Sequence, residues 1–383
     1  MKTVRGEPDG ARIRLRIGLR ANNEEDPPNS QNVMSARNAE GRTGLERRIS
    51  MRKHAVALAS FLILLVAAVI ASCAKPYHLE TEHYYFVAAN INLPYWQEAE
   101  AGFLDAAANL KVRAELIGPA TYDPGAEASM FRDIVDRQPP PSGICLSAAR
   151  PEFFRAEIDK AVAAGIPVIC VDADVPESRR VLYIGTDNLR AGRESVKRMA
   201  TLAPKGNIVV ITIQGQRNID DRLAGVVDAL KNYPALKVMK IVDDKGDWRN
   251  AFDQISDMIL KKEKIDGIIC LEATGGPGAA DALNRFNMAG KIPVVAFDKD
   301  PKTLDLIEKG AISSTIAQKP YVMSYYGLKF LDDLHHNAVR EFKDWRTAPS
   351  PPAPSWVDTG TAFVDKSNLA VFREAMAALP KPQ

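Results

Sequence analysis

The side chains with most chemistry to offer stand where short apolar runs break off into polar loops. Val168-Ile169-Cys170-Val171 is followed by Asp172, and Val294-Val295-Ala296-Phe297 by Asp298. A carboxylate has no packing role at the end of a buried strand. It either caps the helix that follows or accepts protons from the hydroxyl groups of a ligand. Asp174 is a weaker candidate two residues on, and Glu272 closes Gly267–Leu271, where an ionised carboxyl can only accept. Tyr95 and Trp96 follow the turn Asn92-Leu93-Pro94 beyond another such run, offering aromatic faces to a ring, although Trp96 also begins an apolar helical stripe. Nothing here assembles into a catalytic or metal-binding set. Of five histidines, His54 lies in an apolar N-terminal segment, and His78, His83, His335 and His336 lie outside the strand-end loops. No catalytic residue, no metal and no cofactor are therefore expected. Gly275-Gly276-Pro277-Gly278 lacks both the Lys-Ser/Thr ending of a phosphate loop and the G-x-G-x-x-G spacing, so it reads as a tight strand-to-helix turn.

The elements that must position these groups alternate in a regular rhythm. Tyr84–Ala89, Lys111–Ile117, Gly143–Leu146 and Pro167–Val171 read as strands. Between them, residues such as Trp96, Ala99, Phe103, Ala107 and Leu110 fall at helical spacing. The pattern restarts with Asn207–Ile213, Lys237–Asp243, Gly267–Leu271 and Pro293–Ala296, separated by helices. Two successive open parallel-sheet units are implied, with ligands held beyond the carboxyl ends of the strands. After the proline-rich connector Ala348–Pro354, Trp356–Phe363 looks like one further strand.

Met51 to Cys73 has the form of a bacterial lipoprotein export signal. Arg52 and Lys53 precede the small-to-apolar run Ala55–Val69, and Ile70-Ala71-Ser72 leads to a cysteine. A transmembrane anchor is the rival reading. In the lipoprotein reading, residues 51–72 are signal and 73–83 a tether, with residues 1–50 a mis-called extension or a disordered segment. Cleavage before Cys73 leaves 311 of the 383 residues. Twelve of the 50 Lys and Arg, but only seven of the 48 Asp and Glu, precede Cys73, so the remainder is mildly acidic, 38 against 41. That balance argues against a nucleic-acid partner. Cys145, Cys170 and Cys270 each sit inside an apolar run and read as buried core residues.

Five local patterns carry a resemblance: Asn92-Leu93-Pro94-Tyr95-Trp96; Ala164 through Asp172; Tyr183-Ile184-Gly185-Thr186-Asp187-Asn188 with Ala191-Gly192; Ile292 through Asp298; and Thr315-Ile316-Ala317-Gln318-Lys319-Pro320. In this order they resemble the type I, ribose-binding-protein-like periplasmic sugar-binding proteins of ABC importers, over nearly all of Tyr84 to Asp365. The resemblance implies an α/β fold of two doubly wound parallel-sheet lobes joined by a three-stranded hinge. The lobes would be 84–186 with 318–358, and 187–317 with 359–383. It implies a sugar ligand held by Asn92, Tyr95, Trp96, Asp172, Asp174, Glu272 and Asp298. Further ligand residues would be Arg222 (unless it pairs with Asp220 or Asp221), Trp248 from a cleft-facing loop, and Gln318 at a hinge crossing. Leu93 and Ala173 depart from the ribose-binding pattern and favour a hexose, a disaccharide or a polyol. The implied role is a monomeric solute-binding lipoprotein, not an enzyme, in the periplasm or at the cell surface. It would be lipid-anchored through Cys73 and deliver its sugar to an ABC permease. The alternative is a receptor for a chemotaxis or sensor-kinase system, including one for autoinducer-like ligands.

Overall fold

Proline marks many of the points where a strand gives way to a helix. Pro94, Pro124, Pro151, Pro301 and Pro320 each occupy the first turn of a helix. There the missing N–H is no loss and the fixed φ already suits the helix. In the computed structural model, residues 50–65 and 77–377 are described. Residues 50–65, within the segment read as an export signal, are helical, and no described helix is long and apolar enough to cross a membrane. Cys73, the expected lipidation site, lies outside the described residues.

The unit that begins at Tyr77 holds two six-stranded sheets. The first is built from β1 (His83–Val87), α1 (Pro94–Leu110), β2 (Arg113–Ile117), α2 (Pro124–Val135), β3 (Gly143–Leu146), α3 (Pro151–Ala163), β4 (Val168–Val171) and β5 (Leu182–Gly185). The chain then crosses into α4 (Asn188–Leu202), β6 (Gly206–Thr212), α5 (Arg217–Leu230), β7 (Leu236–Asp243), α6 (Trp248–Leu260), β8 (Gly267–Cys270), α7 (Gly275–Arg285), β9 (Val294–Phe297), α8 (Pro301–Glu308) and β10 (Ser314–Ala317). It returns for α9 (Pro320–His335) and β11 (Trp356–Asp358), and crosses once more to β12 (Ala362–Asp365) and α10 (Leu369–Ala377). Strand order is β2-β1-β3-β4-β5-β11 in one sheet and β7-β6-β8-β9-β10-β12 in the other. The two lobes thus repeat one topology, parallel throughout except for β12 against β10. The segment Trp356–Phe363, expected as one strand, is two. Gly360, with φ 71°, turns the chain between them, so each half joins a different sheet.

Burial on both faces explains the short, wholly apolar strands. In β6, Val209 and Ile211 pack into one core while Ile208 and Val210 pack into another on the opposite face. In the first lobe, Phe86 and Phe103 are fully buried against each other, each such side chain stabilising the fold by roughly 1.5–3 kcal/mol. Cys145, Cys170 and Cys270 are buried free thiols in β3, β4 and β8. The three crossings are tied together by side chains. Asp358 accepts from the Asp187 N–H (3.1 Å) and from Arg190 Nη2 (2.7 Å), while the Thr186 hydroxyl donates to Gln318 Oε1 (2.8 Å).

Candidate functional site

The carboxyl ends of the two sheets face a common cavity lined by residues of both lobes. Asp172 follows β4 and Asp298 follows β9, equivalent strands of the two lobes. Both residues adopt left-handed backbone conformations, φ 66° and 68°, and their N–H groups bond the equivalent carbonyls of Ile184 and Ile316 at 2.9 Å. Asp tolerates this region better than most side chains. The backbone turn thereby aims both carboxyls inward.

Each carboxyl is set by its neighbours. Asp172 Oδ1 accepts from the Tyr95 hydroxyl (2.7 Å), and Oδ2 from Asn218 Nδ2 (3.0 Å), a residue of the opposite lobe. Asp298 Oδ1 accepts from Gln318 Nε2 (2.8 Å). Gln318 Oε1 in turn accepts from Arg222 Nη2 (2.7 Å), which fixes the orientation of the amide. Arg222, only 1% exposed, also donates from Nε to Asn188 Oδ1 (2.9 Å) and from Nη1 to the Leu271 carbonyl (2.7 Å), with its guanidinium 4.4 Å from the Phe297 ring. Two of its five N–H donors thus remain for a ligand. Burial pushes the Asp298 carboxyl up to about 7, against the opposing pull of Arg222, and raises Asp172 likewise.

Tyr95 and Trp96 form one wall, edge to face at 4.9 Å. Trp96 also packs edge-on against Phe86, so it serves core and cavity together. Glu272 lines the cavity while its two oxygens accept from Thr274 and from the Gly275 N–H at the start of α7. That carboxylate occupies the place a phosphate would need. The glycines after it instead permit close packing: a Cβ on Gly276 would lie 2.7 Å from Ala296 Cβ, and one on Gly278 would lie 2.4 Å from the Trp248 carbonyl oxygen. Asp244 stands beside Glu272, and burial together with that neighbour raises its carboxyl.

Of the residues expected from sequence, the cavity brings together Tyr95, Trp96, Asp172, Arg222, Glu272, Asp298 and Gln318. Three stand elsewhere. Asp174 makes a two-pronged ion pair with Arg180 (2.6 and 2.8 Å). Trp248 is 41% exposed at the start of α6, with Lys302 over its ring at 4.9 Å. Asn92 lies in the turn, and its neighbour Asn90 lines the cavity instead. Arg222 is not paired with its own helix's acids: Asp221 takes Arg217 and Asp220 accepts the Gly215 N–H. Among residues not singled out, Asn218 was accessible to reasoning, because it lies one helical turn before Arg222. Tyr122 and Thr274 sit in irregular loops that carry no such signal. Away from the cavity, His78, Glu82, Asp332 and His336 bring their donor atoms within 4.8 Å of one another, a grouping not singled out from the sequence.

Asn218 to Asp172, and the ion pair of Lys299 with Glu98 (2.6 Å), are direct contacts between the lobes. Two like lobes in contact across a polar cavity, linked by three crossings, define a hinged two-lobed binding protein. The chain belongs to the periplasmic binding protein domain family, whose model matches residues 84–337. It is similar to the D-allose-binding periplasmic protein of Escherichia coli, 23% identical over 263 residues, covering 65% of this chain and 83% of that protein. A sugar-binding protein of a sugar ABC transporter from Bacillus halodurans is 33% identical, with TM-score 0.67 over 76% of this chain and 100% of that one. An arabinose-binding protein from Geobacillus stearothermophilus is 32% identical, with TM-score 0.65 over 76% and 99%.

Proposed function

We propose that this chain is the solute-binding component of an ABC importer, closing its lobes on a neutral sugar and presenting it to a membrane permease. The observation that carries this is the pair Asp172 and Asp298, one from each lobe, facing a single cavity walled by Tyr95 and Trp96. Three carboxyls and one guanidinium line it, a balance that disfavours anionic ligands and suits hydroxyl donors. A ligand touching both lobes selects the closed state. No bond needs to be made or broken, so the sugar is released unchanged. The lipid anchor at Cys73, a monomeric state and a position outside the cytoplasm complete the proposal. Arabinose, xylose, ribose, allose, glucose and galactose make a discriminating thermal-shift panel. A bound sugar at about a hundred times its Kd adds about 2.7 kcal/mol, a rise of roughly 5–10 °C. No shift from any sugar would sink the reading, as would chemical conversion of the sugar. Cys73→Ser is expected to abolish incorporation of labelled palmitate; labelling that persists would refute the anchor.

The site also predicts a pH dependence. Asp298, pushed up to about 7, is half protonated near neutrality in the empty site, whereas the ionised form accepts hydroxyl protons better. Binding therefore releases a proton, and affinity is expected to fall about tenfold from pH 8 to pH 6. The empty protein follows the opposite sign. A carboxyl raised on folding contributes stability below its unfolded pKa and loses it as pH rises through about 7. Calorimetric titrations at pH 6, 7 and 8 test the binding profile, and an affinity flat across this range would contradict it.

A further inference from the structure

At the opposite end of the first sheet from the cavity, two histidines and two carboxylates point at one spot. Glu82 immediately precedes β1, whereas the cavity lies beyond the other end of that strand. Asp332 and His336 close α9, whose 16 residues carry them about 24 Å from the hinge crossing where the helix begins. His78 Nε2 lies 3.1 Å from Asp332 Oδ1, and His336 Nε2 lies 3.2 Å from Glu82 Oε2 and 3.5 Å from Asp332 Oδ1. The four donor atoms all fall within 4.8 Å of one another. Zinc bonds of about 2.0–2.2 Å at tetrahedral angles place neighbouring donors roughly 3.3–3.6 Å apart, so a small outward shift of two of the three edges seen here would admit the ion.

The surroundings favour a cation. Glu82 and Asp332 are each 3% exposed, and among the described residues no Lys or Arg comes within 4.0 Å of either. Two buried carboxylates without a fixed positive partner are costly. Both carboxylates are oriented: the Leu79 N–H holds Glu82 Oε1 (2.8 Å), freeing Oε2, and the Tyr84 hydroxyl donates to Asp332 Oδ1 itself (3.0 Å), the oxygen that faces the two imidazoles. Such outer partners fix ligand geometry in metal sites. Tyr77 stacks on the His336 ring at 4.4 Å and shields it. Two imidazoles with two carboxylates suit zinc and its neighbours, whereas calcium and magnesium prefer all-oxygen sets.

We propose that His78, Glu82, Asp332 and His336 form a structural site for one divalent transition-metal ion of the zinc class. The ion fastens the lead segment at Tyr77–Glu82 to the end of α9, closing a loop of more than 250 residues and adding its binding free energy to folding. The site shares no residue with the cavity, so it stands or falls independently of the sugar reading.

The test uses the full chain stripped with EDTA and titrated with Zn²⁺ alone. One ion per chain is expected, with a melting rise of about 5 °C or more that EDTA reverses and that Ca²⁺ and Mg²⁺ do not reproduce. The double variant His78→Gln with His336→Gln is expected to lose both effects while keeping whatever sugar affinity the parent shows. Co²⁺ bound to the unmutated chain is expected to give the intense visible bands of a tetrahedral site, a readout that needs no variant. Zinc uptake unchanged in the double variant would overturn the proposal, as would a weak octahedral cobalt spectrum. A melting temperature that responds to pH across the imidazole range but not to zinc would replace the metal site with a protonation-dependent ion-pair cluster.

Discussion

Asp298→Asn is expected to weaken sugar binding by about thirtyfold or more while leaving the empty protein as stable as its parent, or more stable. Asparagine tolerates the left-handed backbone that Asp298 adopts, and its carbonyl can still accept from Gln318 Nε2. The change thus isolates one property: the other carboxyl oxygen, an acceptor, becomes an N–H donor. A ligand hydroxyl that donated to it now meets a donor inside a closed cavity. Mispairing of a buried charged acceptor costs about 2–5 kcal/mol in complexes, or thirtyfold to several thousandfold. The empty protein gains because a carboxyl held up at about 7 by burial is replaced by a group that never ionises. Calorimetry for affinity and urea melts for stability read the two effects separately. Affinity within threefold of the parent would remove Asp298 from the site, and a large stability loss would make it a structural residue instead.

Arg222→Ala carries the largest expected cost in stability. The side chain is buried, donates three hydrogen bonds to Asn188, Leu271 and Gln318, and is the cation that pulls Asp172 and Asp298 toward ionisation. Leaving the buried acceptors of Asn188 and Leu271 unpaired costs about 1–3 kcal/mol each, and the two carboxyls lose a cation that favours their ionised forms. The loss must vary with pH in a defined direction. Without the guanidinium, the Asp172 and Asp298 carboxyls rise further. Their stabilising contribution is then full below the unfolded carboxyl pKa of about 3.9 and fades as pH rises through the higher folded values. The variant should therefore lie closest to its parent near pH 5 and furthest from it at pH 8. Equal stability differences at the two pH values would show that packing against Phe297, not charge, sets the cost.

The two aspartates were readable in the sequence because a charge at the end of an all-apolar run has few structural uses, and parallel strands expose their carboxyl ends to one side. Alternating runs likewise announced two α/β units. What remained hidden depended on direction rather than on type. Asp174 looks like a second strand-end acid until the chain bends and Arg180 reaches it. Trp248 has the right chemistry for a sugar face, but opening α6 turns it outward beneath Lys302. Asn90 and Asn92 differ by two residues in a turn, and only backbone geometry decides which enters the cavity. The histidine cluster was half visible as two His-carboxylate pairs at i, i+4 spacing, His78 with Glu82 and Asp332 with His336. Joining them requires knowing that α9 ends beside the start of β1.

The three crossings have a consequence for how the chain can come together. Neither sheet is a contiguous piece of sequence: the first lacks α9 and its edge strand β11 until residues 320–358 arrive, and the second lacks β12 until residue 362. A chain emerging N-terminus first can collapse locally but cannot finish either lobe. The two halves reach completion within a few residues of each other, almost at the end of synthesis. Early pieces therefore keep open sheet edges longest, where pairing with other chains is the hazard. Both lobes thus depend on the last few tens of residues, and a chain truncated before residue 356 would leave each sheet without its edge strand.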